Sequence, residues 1–163
     1  MSRSSLHIDP IERAWIIIGG LMLAAFAVAV FAASLMGGIQ LPVPEAQVDP
    51  KLVATPGATS FGEPGVRELA PGQYEARVLA QAWAFNPKEI KVKAGSKVTF
   101  YFTSKDVQHG VHIDQTNVNV MILPGQVSKL STTFEAPGEY LFICHEYCGV
   151  GHQTMFGKVI VEP

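Results

Sequence analysis

Charge is scarce in this chain. Asp, Glu, Lys and Arg make up 16% of its 163 residues and hydrophobic residues 48%, where soluble domains carry about 25% charged residues. That excludes a disordered chain, which would be rich in charge and poor in apolar side chains. It also implies that part of the chain lies in lipid. A basic surplus is missing too: the net charge is −2, so nothing points to nucleic acid as a partner. Cysteine is limited to two residues, too few for a disulfide framework. Phosphate-binding loops, dinucleotide fingerprints and internal repeats are absent. The length leaves room for one ordinary domain, or for a smaller domain plus an anchor.

The apolar excess is concentrated. From Trp15 to Met36 the chain reads WIIIGGLMLAAFAVAVFAASLM without a charge. About 22 residues at ~1.5 Å each span ~33 Å, enough for a hydrocarbon core of ~30 Å. The sequence predicts a transmembrane helix over 15–36, with Trp15 at an interface and Gly19 and Gly20 tolerated as they would not be in water. A cleaved signal peptide competes through Ala32-Ala33-Ser34, but its apolar region should run only ~7–15 residues. A buried soluble helix fits less well, because the rest of the chain is too small to surround it. Arg3 and Arg13 precede the span and the next basic residue is Lys51. The positive-inside rule therefore predicts a single pass out of the cytoplasm, with residues 1–14 as a cytoplasmic tail.

Residues 37–72 are rich in Pro and Gly and read as an extended linker. Residues 73–163 read as an extracytoplasmic domain of period two. Tyr74, Ala76 and Val78 alternate with Glu75 and Arg77; Ile90, Val92 and Ala94 with Lys91 and Lys93; Val98, Phe100 and Phe102 with Thr99 and Tyr101. The same holds for Val118–Ile122, Leu130–Phe134, Tyr140–Cys144 and Phe156–Val161, with turn signals such as Asn86-Pro87, Pro124-Gly125 and Pro137-Gly138 between the runs. No amphipathic helix of normal length competes. About seven short strands predict a mainly β fold, an antiparallel Greek-key sandwich.

The chemistry lies between the last two runs. Cys144, Cys148, His152 and Met155 form C-x3-C-x3-H-x2-M, with Gly149 and Gly151 permitting a tight loop. Thiolate, thioether and imidazole together select copper. Further donors come from Asp106-Val107-Gln108-His109-Gly110-Val111-His112. Other readings stand beside this one. The cysteines could form a disulfide, but it would close a very small loop. A zinc site would not favour methionine. A lone Met is usually core and a lone His usually surface; Met121, without such company, reads as core or rim. His109 and His112 are three apart, so on a strand they face opposite ways and one of them reaches the loop; spacing alone does not say which. His152 is favoured over His145 by the glycines around it.

These residues, with Pro124-Gly125, Pro137-Gly138-Glu139-Tyr140 and Cys144 through Gly157, resemble subunit II of the cytochrome c oxidases of the haem–copper superfamily. The resemblance runs from about Tyr74 onward. The single transmembrane helix and Gln81-Ala82-Trp83-Ala84-Phe85 resemble the B-type members of bacteria and archaea in particular. It implies a cupredoxin-like domain with a dinuclear copper A centre held by His109, Cys144, the backbone carbonyl of Glu146, Cys148, His152 and Met155. His112 and His145 would not be ligands. In many relatives the acid at the Glu146 position also helps to hold magnesium against subunit I; B-type relatives often lack that acid.

The implied function is electron transfer within a proton-pumping oxidoreductase of the respiratory chain. Electrons would come from cytochrome c or a small copper protein and pass to haem in subunit I. Trp83 and Phe85 are expected to supply an aromatic surface for electron uptake, with ordinary sandwich core as the competing role. A membrane-tethered stand-alone cupredoxin shuttle is the main alternative, although a mononuclear blue site needs only one cysteine. A copper sensor or storage module is another.

Overall fold

The computed structural model describes residues 9–38 and 44–163, which fall into two compact units divided between Ile39 and Gln40. Most of the predicted cytoplasmic tail, including Arg3, and the linker residues 39–43 lie outside the described residues.

The first unit is one helix, α1 (Pro10–Met36). It begins five residues before the uninterrupted apolar run because its start is strongly signalled. Asp9 accepts the Ile11 N–H at 2.8 Å, Pro10 occupies the first helical position and Glu12 sits in the first turn. At the other end the Gly37 N–H donates to the Ala33 carbonyl at 2.8 Å. None of its residues is buried within the unit, and its most apolar window has a mean hydropathy of 2.6. A helix apolar all round is a candidate membrane span, since lipid is the solvent that suits such a surface.

The second unit is a two-sheet sandwich. Its strands are β1 (Pro44–Gln47), β2 (Gly65–Ala70), β3 (Gln73–Gln81), β4 (Ala84–Asn86), β5 (Glu89–Lys93), β6 (Ser96–Ser104), β7 (His109–Ile113), β8 (Asn119–Ile122), β9 (Gln126–Phe134), β10 (Gly138–Ile143) and β11 (Phe156–Glu162). The first sheet runs β1-β9-β6-β3-β2, with β4 paired to β3; the second runs β5-β11-β10-β7-β8.

Two expectations need correction. The sandwich is not purely antiparallel: β3 pairs β6 in parallel, and β5 pairs β11 in parallel. Strand period reports which face is buried and carries no information on partner direction. The segment expected to be a linker also supplies β1 and β2 to the first sheet. Between them Val53 and Phe61 are buried with Leu79 and Val127 in a small second cluster. Arg77 ties that segment down. Its guanidinium donates to the Phe61 carbonyl and pairs with Glu75 at 2.7 Å.

The alternating positions meet between the sheets. Ala76, Val78, Val98, Phe100, Phe102, Leu130 and Phe134 face Ile90, Val92, Val111, Ile113, Val120, Phe142, Val159 and Val161. Each fully buried large apolar side chain is worth roughly 1.5–3 kcal/mol relative to exposure, so this core fixes the register of the strands that carry it. The register places the chemistry. β7 lies antiparallel beside β10, with Ile143 opposite His112. The start of β7 therefore lies beside the end of β10, which puts His109 next to the loop that opens at Cys144.

Candidate metal centre

The loop between β10 and β11 is closed at its base by the Cys144 N–H, which donates to the Met155 carbonyl at 3.0 Å. Inside it a short 3-10 turn, His152–Thr154, is held by His152 N–H to Gly149 O at 3.0 Å and Thr154 N–H to Gly151 O at 3.0 Å. Gly149 has φ +118, a conformation side-chain-bearing residues avoid. Gly149 and Gly151 also serve a neighbour. A Cβ on Gly151 would come within 2.5 Å of the Trp83 indole, and one on Gly149 within 2.9 Å of its Nε1. The indole lies flat against the loop and donates to the Cys148 carbonyl at 3.1 Å.

The soft donors converge beneath it. The Cys144 and Cys148 sulfurs are 3.8 Å apart and both thiols are free, so the disulfide reading does not hold. Cys144 Sγ lies 3.2 Å from the Glu146 carbonyl oxygen. Cys148 Sγ lies 3.5 Å from His152 Nδ1 and 3.7 Å from Met155 Sδ. His109 joins from β7: its ring nitrogen and the two sulfurs lie within 4.8 Å of one another. Both cysteines are under 10% exposed, and Met155 and His109 are fully buried.

The His109 ring shows what the site lacks partners for. Nε2 is engaged by Asp106 Oδ1 at 2.9 Å, while Nδ1 is buried without any hydrogen-bond partner. A buried ring nitrogen left unpaired beside two thiols fits a metal ligand. The donor set, two thiols, two imidazoles and a thioether, fits copper. Electrostatics agree. Burial, reinforced by the neighbouring Cys144, pushes the Cys148 thiol up to about 11, so without metal it holds its proton. Burial alone would raise Asp106, but hydrogen bonds from His109 and from the Ala82 and Val107 amides outweigh it and hold the carboxyl below its ordinary value.

The other expected residues separate clearly. His112 points to the outer face of the second sheet, away from the sulfurs, as the strand argument requires of one member of the pair. His145 also lies outside, its ring over Gly110. The Glu146 carboxylate turns from the sulfurs to Gln108 Nε2 at 3.3 Å and His145 Nδ1 at 3.5 Å. Trp83 is 40% exposed, but Phe85 is buried, edge-on to Phe142 with ring centroids 5.2 Å apart. Phe85 is therefore sandwich core and offers no docking surface. The two aromatics share a face by period, but the turn after β3 lifts Trp83 out of the ladder. Asp106 has no role assigned to it by sequence reasoning. Its signal is the D-x-x-H spacing, which brings a carboxylate back to the far nitrogen of the histidine.

The chain matches the cupredoxin-like domain family over residues 54–161. It is 40% identical to a cytochrome c oxidase subunit 2 of Thermus thermophilus over 154 residues, covering 93% of this chain and 91% of that one. A nitrous-oxide reductase of Stutzerimonas stutzeri is 33% identical over 90 residues, 53% of this chain but only 14% of that protein. Among solved structures, a chain of a haem–copper terminal oxidase dimer superposes with a TM-score of 0.71 at 38% identity, covering 94% of this chain and all of that one. A cupredoxin-like fold ending in a buried Cys-Cys-His-Met loop, and a likeness that extends over nearly the whole length of an oxidase subunit, lead to one conclusion: the chain belongs to the subunit II family of the cytochrome c oxidases.

Proposed function

We propose that this chain is the electron-transfer subunit of an oxygen-reducing, proton-pumping haem–copper oxidase. It takes electrons from a cytochrome c or a small copper protein outside the membrane and passes them to haem in subunit I. The observation that carries this reading is the pair of free, buried thiols 3.8 Å apart beside the unpaired His109 Nδ1, in a chain 40% identical to an oxidase subunit 2 over 93% of its length.

His109, Cys144, the Glu146 carbonyl, Cys148, His152 and Met155 would hold two copper ions as a copper A centre. When bound, such a centre supplies one-electron transfer with little reorganisation, because the added electron is shared between both metals and their sulfurs. The chain's own residues provide the rest. Asp106 fixes the His109 tautomer, the 3-10 turn sets His152 and Met155, and Phe142 and the sandwich core keep the inner side dry. Trp83 is the residue at which electrons arrive: its indole is exposed on one side and hydrogen-bonded to the Cys148 carbonyl on the other. Tyr147 and Val150, exposed at the loop tip, extend that apolar surface for a docking donor.

α1 anchors the chain, with its start on the cytoplasmic side and the copper domain outside. Magnesium is left out of this reading. The Glu146 carboxylate is turned to Gln108 and His145.

The test is a metal count and a spin signal on the full chain in detergent. Two coppers per chain with a multi-line signal from one unpaired electron shared over both are expected. One copper with an intense blue absorption would instead make the chain a tethered single-copper shuttle. Co-purification with a haem-bearing subunit separates an oxidase subunit from a sensor.

A further inference from the structure

The thiol pair is walled in, with both cysteines below 10% exposure and His109 fully buried. A second group of soft donors stands outside that wall, unused by the function proposed above. β7 turns His109, Val111 and Ile113 inward, which sends Gly110 and His112 to the outer face of the second sheet. β8 sends Asn119 and Met121 to the same face, Met121 opposite Gly110 and Asn119 opposite His112. Gly110 has no side chain, and the His145 ring occupies its place. A Cβ built there would meet His145 Nδ1 at 2.6 Å and Nε2 at 2.8 Å.

Directly opposed Cβ positions lie about 4.5–5.5 Å apart. The His145 imidazole therefore stands within side-chain reach of the Met121 thioether, with His112 next along the same face. A single exposed methionine is ordinary. Met121, 44% exposed, faces an imidazole across a glycine, which makes it part of a donor set. His112 adds an independent sign: its Nδ1 is buried with no hydrogen-bond partner, while its Nε2 lies 3.7 Å from Asp114.

We propose that Met121, His145 and His112 form a Cu(I)-binding site on the outer face of the second sheet, where copper is taken up before it reaches the thiol pair. The destination rests on the copper centre proposed above; the donors do not. A thioether with imidazoles selects Cu(I) over zinc and hard cations. Met121 is 44% exposed and the His112 and His145 side chains are 38% and 27% exposed, whereas both thiols are buried. His145 is the chain neighbour of Cys144, so one residue step separates the outer ring from the inner sulfur. Copper stays Cu(I) through the transfer and no electron moves. Its bonds to the outer sulfur and imidazoles break as bonds to Cys144 and Cys148 form, and the thiol protons pass to water.

The experiment titrates Cu(I) against bathocuproine disulfonate on the full chain in detergent, after its thiol site is saturated. One further Cu(I) per chain is expected. Met121→Leu and His145→Asn should each weaken it by about tenfold or more and slow the filling of the thiol pair, with the final copper content unchanged. In a Cys144→Ser/Cys148→Ser/Met155→Leu background, X-ray absorption should show one sulfur neighbour that Met121→Leu removes. Absence of the further equivalent in the saturated chain, or an affinity in both outer variants equal to that of the unmodified chain, overturns the proposal, whether or not the triple background folds. A chain that takes up Cu(I) at Met121 but never holds two coppers at its thiols would sink the copper-centre reading and leave this site standing.

Discussion

Asp106 grips His109 by the nitrogen that faces away from the sulfurs. Its Oδ1 lies 2.9 Å from Nε2, and the same carboxylate accepts the Ala82 N–H at 2.7 Å and the Val107 N–H at 2.7 Å. Nε2 is thereby the protonated nitrogen, and Nδ1 keeps its lone pair toward Cys144 and Cys148. The carboxylate also joins the turn that carries Trp83 to the strand that carries His109.

Asp106→Ala should therefore weaken copper retention by about 10–100-fold, the usual cost of losing a ligand's orienting partner. Competition with a chelator measures it. Asp106→Asn, which keeps an acceptor oxygen, should recover much of the loss. If Asp106→Ala holds copper as tightly as the unmodified chain, the hydrogen bond is incidental.

The two histidines of the H-x-x-H pair should behave as their faces dictate. His109→Ala is expected to remove the two-copper spectrum, because it deletes the buried ring beside the thiols. His112→Ala should leave that spectrum intact, because its ring is on the outer face. Absorption and spin resonance of the copper-loaded variants decide between them, and the opposite pattern would show that the ligand assignment is reversed.

That pair also shows how much was legible. Period two fixed which residues of β3, β5 and β6 face inward, and a separation of three fixed that His109 and His112 diverge, though not which of them faces in. The donor types and glycines of the 144–155 loop were enough to point to copper. Strand partners were not legible. The parallel pairing of β3 with β6 and of β5 with β11 joins segments whose alternation would suit either direction. Nor were β1 and β2, whose Pro- and Gly-rich surroundings look like linker; Val53 and Phe61, the residues that pin them, are isolated apolar positions without a period. Phe85 looked like a partner for Trp83, and only the turn between β3 and β4 sends one to the core and the other to the surface.

Trp83 is expected to govern the rate of electron uptake. Trp83→Phe keeps an aromatic ring but removes the hydrogen bond to Cys148, worth about 0.5–1.5 kcal/mol net. Trp83→Ala removes both. Stopped-flow reduction of the copper-loaded chain by a reduced cytochrome c should slow modestly in the first and by about tenfold or more in the second, for a loss of about 1.4 kcal/mol or more from the transition state. Gly151→Ala should resemble Trp83→Ala, since its new methyl would fall within 2.5 Å of the indole and displace it. Equal rates in all four proteins would place electron arrival elsewhere.

Gly157 is a packing position in β11. A Cβ there would collide with the Phe142 ring and come within 2.5 Å of the Lys88 carbonyl. The backbone oxygen cannot swing aside as a side chain could. Gly157→Ala should cost about 1–3 kcal/mol, the usual penalty of overpacking, and lower the thermal midpoint of the domain by several degrees. A midpoint within a degree of the unmodified chain would mean that β5 and β11 can separate freely.

Copper loading should be steeply pH-dependent, in the direction opposite to the stability of the metal-free domain. Burial and the adjacent Cys144 push the Cys148 thiol up to about 11 from an ordinary 9.0, so the metal-free fold favours the neutral thiol. A raised acid contributes its stabilisation fully below the ordinary value and loses it as the pH climbs through about 11. The metal-free domain should therefore weaken in alkali. Copper needs both thiols ionised, so each uptake event expels two protons, and apparent affinity should fall by about a hundredfold for each pH unit below the thiol range. A weakly buffered indicator solution at pH 7 should record two protons released per chain on saturation. Release of one proton would mean that one cysteine stays protonated and that only one thiolate would hold metal.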